Sequence, residues 1–256
     1  IGFIVIFGTG SLLTSDDSSS TEIQSVYGIW DRLTSNPATA ADDTKSVRLV
    51  EQTITNVVDD SVNPAQTRRI VSRNTVNYVA DGADPGTYGW YFDLDMPRAT
   101  NTLSGSVNPD ITGNEPPDAQ FPGEKAVRRL VFRNGAVITT TVLPANDETS
   151  CFGARPGSIL VFDAFTGGDA VKPVIDFNTD GVVSEGDLVD VDGESYSAGL
   201  LFNQDDLDGS LVDLSTLGGE GDTDFLFVSG GSETTSFRID DINDSRTGRL
   251  SWRELE

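Results

Sequence analysis

The sequence predicts an all-β fold, a propeller or a sandwich, and three observations carry that expectation. Short apolar or alternating runs recur along the chain with polar turn clusters between them. No amphipathic stretch is long enough for a helix of more than three turns. Twenty-six glycines among 256 residues, together with long polar segments, suit many tight turns.

In chain order, strands are expected at residues 2–7, 25–30, 47–54, 69–79 and 88–94. A hairpin follows, from 127–133 through Asn134-Gly135 to 136–143, because Asn-Gly supplies the two positive-φ residues of a tight type I′ turn. Further strands are expected at 158–163, 198–203, 224–228, 235–239 and 249–253. The segments 14–21, 34–45 and 101–122 are rich in Ser, Thr, Asp, Asn and Pro, and are expected as loop insertions on the sheet scaffold. The strand type is the same on both sides of 101–122, so the chain reads as one region over 1–256.

Charge narrows the function. Seventeen Lys and Arg against 41 Asp and Glu give a net charge of −24, which repels nucleic acid and anionic lipid and attracts cations. From Pro173 to Phe237 there is no Lys or Arg, while fifteen Asp and Glu lie there. The chain has no histidine, so Ser-His-Asp and Cys-His catalysis within it are excluded and zinc is disfavoured. Cys151 stands alone, with no internal disulfide and no visible base to activate it. Residues 1–7 are apolar but too few to span a bilayer. The chain begins with Ile and is expected to be a piece of a longer precursor.

Within the acidic stretch, residues 176–187 have the spacing of a calcium loop. Asp176, Asn178, Asp180, Ser184 and Asp187 fall at positions one, three, five, nine and twelve, with Gly181 at six. The glycine allows the sharp turn that brings the carbonyl of Val182, at position seven, toward the ion. Position twelve is Asp where the regular loop has a bidentate Glu, so the loop must draw in tighter. A solvated acidic turn is the competing reading, since Asp, Asn and Gly favour turns anyway, yet turn chemistry alone does not ask for oxygens at alternate positions.

Other candidates are weaker. Trp30, Trp90 and Trp252 sit in apolar strand patterns and read as core before they read as a sugar-stacking surface. Asp205, Asp206 and Asp208 lack the one-three-five spacing of a second site. Arg249 and Arg253 share a strand face and read as surface ion-pair residues. There is no Arg-Gly-Asp.

Phrases along the whole chain then carry a resemblance. They run from Phe7-Gly8-Thr9-Gly10 and Tyr27-Gly28-Ile29-Trp30-Asp31 through Leu49-Val50-Glu51-Gln52-Thr53-Ile54 and Arg69-Ile70-Val71-Ser72-Arg73-Asn74. Tyr88-Gly89-Trp90-Tyr91-Phe92-Asp93-Leu94, the segment from Leu143-Pro144 to Cys151, and Leu160-Val161-Phe162-Asp163-Ala164-Phe165-Thr166-Gly167-Gly168 follow. Gly248-Arg249-Leu250-Ser251-Trp252-Arg253-Glu254-Leu255 ends the set. Each phrase alone suits any propeller; the ordered set resembles the C-terminal part of the PilY-type family of type IV pilus biogenesis factors and tip-associated adhesins.

The resemblance implies a non-enzymatic β-propeller outside the cytoplasm, at the cell surface or pilus tip, with Ca²⁺ in the loop. Its implied partners are minor pilins or other tip subunits, the N-terminal remainder of the precursor, and a host or abiotic surface. The family loop commonly has an acid where this chain has Ser184, so Asp187 is expected to complete the shell. A four-stranded blade takes about 40–50 residues, so the chain is expected to supply three or four blades of an incomplete propeller, with its N-terminal strand pairing with residues not present here, an absent or separate polypeptide. Two alternatives stand beside this reading: a propeller enzyme of the quinone-dehydrogenase or glycosidase type, and a dockerin-like assembly module. For the first, the lone Cys excludes a vicinal disulfide and no acid pair can be singled out. For the second, residues 188–200 make a poor helix and no duplicate loop is seen.

Overall fold

A computed structural model describes residues 2–31, 33, 48–59, 66–78, 87–94, 101–102, 123–133, 135–142, 157–202, 211–218, 224–230 and 233–239. Among the described residues the elements are all strands apart from one turn of helix and one 3₁₀ turn. The first sheet contains β1 (Phe3–Gly8), β2 (Ser25–Asp31), β3 (Leu49–Gln52) and β6 (Gly89–Asp93), in the order β1-β2-β6-β3. The second contains β4 (Ile54–Asp59), β5 (Gln66–Val71), β7 (Asn101–Thr102), β8 (Val131–Arg133), β9 (Ala136–Val142), β10 (Gly157–Asp163) and β13 (Gly199–Phe202). Its order is β7-β4-β5-β13-β10-β9-β8. β11 (Val189–Val191) and β12 (Glu194–Tyr196) form a hairpin, and β14 (Leu211–Gly218), β15 (Asp224–Gly230) and β16 (Glu233–Ile239) an antiparallel meander. The sheets have the propeller type of short, mostly antiparallel strands and do not close into a ring among the described residues.

The seven-stranded sheet lies between the other two, and period-two alternation explains how it serves both. Val137, Leu160 and Phe162 pack with Val26, Trp90 and Phe92 of the first sheet. Their neighbours Ile138, Ile159 and Val161 pack on the opposite side with Leu226, Phe237 and Ile239 of the meander. A strand buried on both faces reads as a continuous apolar run, which is why Ile159-Leu160-Val161-Phe162 shows no alternation. Each such side chain contributes about 1.5–3 kcal/mol on full burial. Trp90 centres one core: its ring lies 5.4 Å from that of Phe162, and an added Cβ at Gly28 or Gly167 would fall inside it. That confirms core packing for Trp90; Trp30 is half-buried with its ring 5.4 Å from Tyr78, and Trp252 lies outside the described residues.

Several expectations change. The hairpin forms, with Arg133 opposite Ala136 and Gly135 at φ +87°, but its first strand is shorter than expected, and Asn134 lies outside the described residues. The run 47–54 splits into β3 and β4 around Thr53, so that the two halves join different sheets. The run 69–79 stops at Val71, where Ser72 and Asn74 turn to bond the Gln52 side chain. Segment 14–21 is not all loop: Thr14 caps a short helix, α1 (Ser15–Ser19), through a reciprocal capping box with Asp17. Asn101 and Thr102 join the sheet as β7, and the rest of 101–122, like 34–45, lies outside the described residues. So do Cys151, Asp205, Asp206, Asp208, Arg249 and Arg253.

The N-terminal strand also corrects its expectation. β1 finds its partner within the chain, running antiparallel to β2 from Phe3 opposite Asp31 to Gly8 opposite Val26. Among the described residues its other edge is the end of the sheet, and Phe3, Val5 and Phe7 are 63%, 51% and 42% exposed on its outer face. The alternating pattern gives the strand an inner face, on which Ile6 packs against the core.

Candidate metal centre

The acidic loop begins where the meander meets the core. Ile175 bridges to Ile239, the Asp176 N–H donates to the Arg238 carbonyl at 2.8 Å, and Phe177 packs edge-on against Phe237 at 5.4 Å. The first ligand position is thus anchored on β16. Thr179 and Gly181 then take positive φ, +59° and +89°, reversing the chain. An added Cβ at Gly181 would meet nothing within 4 Å, so the glycine answers to backbone conformation and not to crowding.

The side chains wrap inward as in an oxygen-lined turn. Asp176 Oδ2 accepts the Gly181 N–H at 2.9 Å, Asn178 Oδ1 accepts that of Asp180 at 2.9 Å, and Asp180 Oδ1 accepts that of Val182 at 2.8 Å. Asp176 is 3% exposed, and its second oxygen, Oδ1, is buried without a hydrogen-bond partner. A buried carboxylate oxygen left unmatched costs on the order of 1–3 kcal/mol, more when charged. The donors are all hard oxygens, which fit calcium and not a thiolate- or imidazole-seeking metal.

Asp187 has a different place. It is buried, with Oδ1 accepting the N–H groups of Phe177 and Asn178 at 3.0 and 3.2 Å and Oδ2 accepting that of Ser184 at 2.9 Å. It ties the end of the loop to its beginning, and the Ser184 hydroxyl caps the following 3₁₀ turn by accepting the Gly186 N–H at 3.2 Å. The structure therefore brings Asp176 and Asp187 to the loop's buried base. Asp180 stays exposed, as does the Val182 side chain. Among the described residues no three carboxylates gather closely enough to form a metal cluster.

Two arginines complete the site, and sequence reading missed both. Arg238, the first cation after the acidic stretch, donates from Nη1 to the Gly181 carbonyl. Arg68 on β5 lies buried beneath the loop, its guanidinium 4.0 Å from the centre of the Phe177 ring and Nη2 donating to the Asp187 carbonyl at 3.2 Å. Burial pushes Arg68 down to about 10, opposed by the charges of Asp59 and Asp187. The signal for Arg68 was the pair Arg68-Arg69 inside a strand, since alternation buries such neighbours on opposite faces. Beyond the loop, Arg73 clamps the β11–β12 hairpin: it bonds Asp169 at 2.7 and 3.0 Å, Glu194 at 3.2 Å and the Ser195 carbonyl, and covers the Tyr196 ring. A strand hairpin thus stands where a dockerin-like module needs a helix.

Comparison with known proteins gives a consistent set of likenesses. A family profile described as PilY1 beta-propeller domain matches residues 1–66. The chain is 30% identical over 177 residues to a type IV pilus biogenesis factor PilY1 homolog of Xylella fastidiosa, covering 69% of this chain and 11% of that protein. It is 26% identical over 267 residues to the type IV pilus biogenesis factor PilY1 of Pseudomonas aeruginosa strain UCBPP-PA14, covering 100% of this chain and 20% of that one. The crystal structure of the Pseudomonas aeruginosa PilY1 C-terminal domain superposes with a TM-score of 0.67 at 23% identity, over 93% of this chain and 42% of the solved one. The chain spans a fifth or less of these two relatives' own length.

Proposed function

From the premise that this is a PilY-type chain with propeller strands, we propose that it is a calcium-binding, non-enzymatic part of a type IV pilus biogenesis or tip protein. It acts by binding, in pilus assembly and surface adhesion, outside the cytoplasm. Its partners are minor pilins or other tip subunits together with the remainder of its own longer polypeptide. No helix among the described residues is long and apolar enough to cross a membrane.

The observation that carries the calcium reading is the buried, unpartnered Oδ1 of Asp176 inside a turn already shaped by Gly181. Asp176, Asn178, Asp180, the Val182 carbonyl, Ser184 through a water, and Asp187 would hold the ion. Bound there, calcium supplies positive charge that lets the loop's carboxylates approach one another. The chain's own residues transmit that order. Asp187 joins the two ends of the loop, Arg68 links it to β5, and Arg73 holds the hairpin that follows. Ordering the loop thus stiffens one face of the central sheet at β5, which is what a binding surface under load requires.

Calcium titration by calorimetry on the purified chain tests this, repeated with Asp176→Ala and Asp180→Ala and accompanied by thermal melts. Binding of about one ion, lost in both variants, with a stabilisation of about 2.7 kcal/mol at a hundredfold excess over Kd, supports the reading. No binding in the intact chain, or binding indifferent to both substitutions, reduces the loop to an acidic turn.

A further inference from the structure

The meander is fastened to the rest of the fold at the acidic loop. Among the described residues β14, β15 and β16 share no ladder with the two larger sheets, and the bridge that ties them to the preceding chain is Ile175–Ile239, beside Asp176. The Asp176 N–H donates to the Arg238 carbonyl at 2.8 Å, and Arg238 Nη1 donates to the Gly181 carbonyl. Phe237 meets Phe177 edge-on, with ring centres 5.4 Å apart. Three consecutive residues of β16 thus hold both the first ligand position and the glycine turn.

Apolar packing gathers at the same seam. Leu226, opposite Phe237 in the ladder, packs with Phe237 and Ile239 in one cluster that includes Val174, Ile175 and Phe177. Asp176 is the one charged member of the run 174–177, and it is buried with Oδ1 unpartnered. Docking the meander therefore withdraws a carboxylate from water and leaves part of it unmatched, which opposes docking. A cation bound there removes the opposition. With the meander lifted, Asp176 is hydrated and its backbone is no longer fixed by β16, so an ion meets a looser ligand. An ion that prefers one of two states shifts the balance toward it, and that state reciprocally binds the ion more tightly.

We propose that the meander is part of the calcium site, with Phe237 as a positioning residue. Docked, β16 fixes Asp176 for the ion, and the ion in turn holds the meander against the core. The inference rests on the calcium reading and adds to it the element whose docking the ion controls.

The test uses the whole chain with Cys151→Ser and Leu226→Cys, which leaves a single thiol at a fully buried position of the meander. A thiol reagent reaches it when the meander lifts. Labelling is followed in calcium and in chelator, with calcium affinity measured by calorimetry on the same chain. Calcium is expected to slow labelling by about tenfold or more. In the otherwise unaltered chain, Phe237→Ala is expected to weaken calcium by about tenfold or more at unchanged stoichiometry. Phe237→Leu, which keeps an apolar body at the seam, is expected to recover most of that affinity. Where Phe237→Ala does not fold, the labelling comparison decides, since it keeps Phe237. Calcium that binds without slowing the labelling, or that binds Phe237→Ala as tightly as the intact chain, overturns the inference and leaves the ion site standing. An intact chain that binds no calcium overturns both, so calorimetry tells the two failures apart.

Discussion

Arg68 and Arg69, consecutive on β5, are buried on opposite faces of the central sheet, one against Phe177 and the Asp187 carbonyl, the other against Glu124. One strand thereby fastens both the acidic loop and residue 124, far apart in sequence. The Arg69 pair is fully buried and fork-shaped, 2.6 Å from Nη1 to Oε1 and 3.2 Å from Nη2 to Oε2, with the Ser158 hydroxyl 3.0 Å from Oε1.

Breaking that pair on one side is expected to be costly. Arg69→Met leaves Glu124 buried without its counter-charge, for a loss of about 3–5 kcal/mol in urea unfolding. The double change Arg69→Met with Glu124→Leu is expected to recover most of the loss, because Thr141 and Ser158 still bond one another at 2.6 Å. A double variant as unstable as the single one contradicts this account.

Asp187 and Asp180 are expected to separate in chelator. Asp187→Ala strands three backbone N–H groups, those of Phe177, Asn178 and Ser184, and costs about 1–3 kcal/mol with no calcium present. Asp180→Ala removes an exposed acceptor and changes the chelated melting temperature little. Thermal melts of both variants in chelator decide it; equal behaviour means that Asp187 does not staple the loop.

Glycine substitutions are expected to grade by what surrounds them. Gly181→Ala meets open space and incurs the left-handed backbone cost alone, about 1–2 kcal/mol. Gly167→Ala adds to that a Cβ placed 2.2 Å from the Trp90 ring, and overpacking contributes about 1–3 kcal/mol more. Unfolding followed by tryptophan fluorescence ranks the two, with a shifted native spectrum expected only for Gly167→Ala.

Above pH 10 the fold is expected to weaken through Tyr78. Burial, reinforced by the charge of Asp163, holds its hydroxyl well above the ordinary value of 10, and that hydroxyl donates to the Phe165 carbonyl. A raised value in the folded state gives stability that is complete below the unfolded value and lost as pH climbs toward the folded one. Arg68 works against this: its folded value of about 10 lies below the unfolded 12.5, so its burial cost is relieved over the same range. Tyr78→Phe is expected to flatten the alkaline loss in denaturant titrations run from pH 9 to 11.

Strand positions were largely legible because alternation and turn residues are local: the turn at Gly135 and the runs of β2, β6 and β10 stand where the sequence puts them. Sheet membership was not, since nothing local says that Ile54 leaves the sheet of Leu49. β14 went unseen because Asp213, Ser215 and Thr216 dilute its apolar pattern. At the candidate site the sharp turn at Gly181 was readable from the spacing, whereas the stapling role of Asp187 depends on which amides converge upon it. Arg238 and Arg68 come from strands remote in sequence, so their approach to the loop is a product of topology alone.

The strand order has a consequence for how the chain comes into being. β13, residues 199–202, occupies the seam between β5 and β10, so the earlier strands on its two sides are not joined edge to edge without it. During synthesis from the N-terminus, both facing edges stay bare until residue 202 has emerged, a wait in which they are open to misassembly. The latecomer must then slide into a slot with no tolerance at Gly199, where a Cβ would lie 2.1 Å from the Ile159 carbonyl oxygen. A substitution there acts on the yield of finished molecules through the timing of closure, before any binding partner is met.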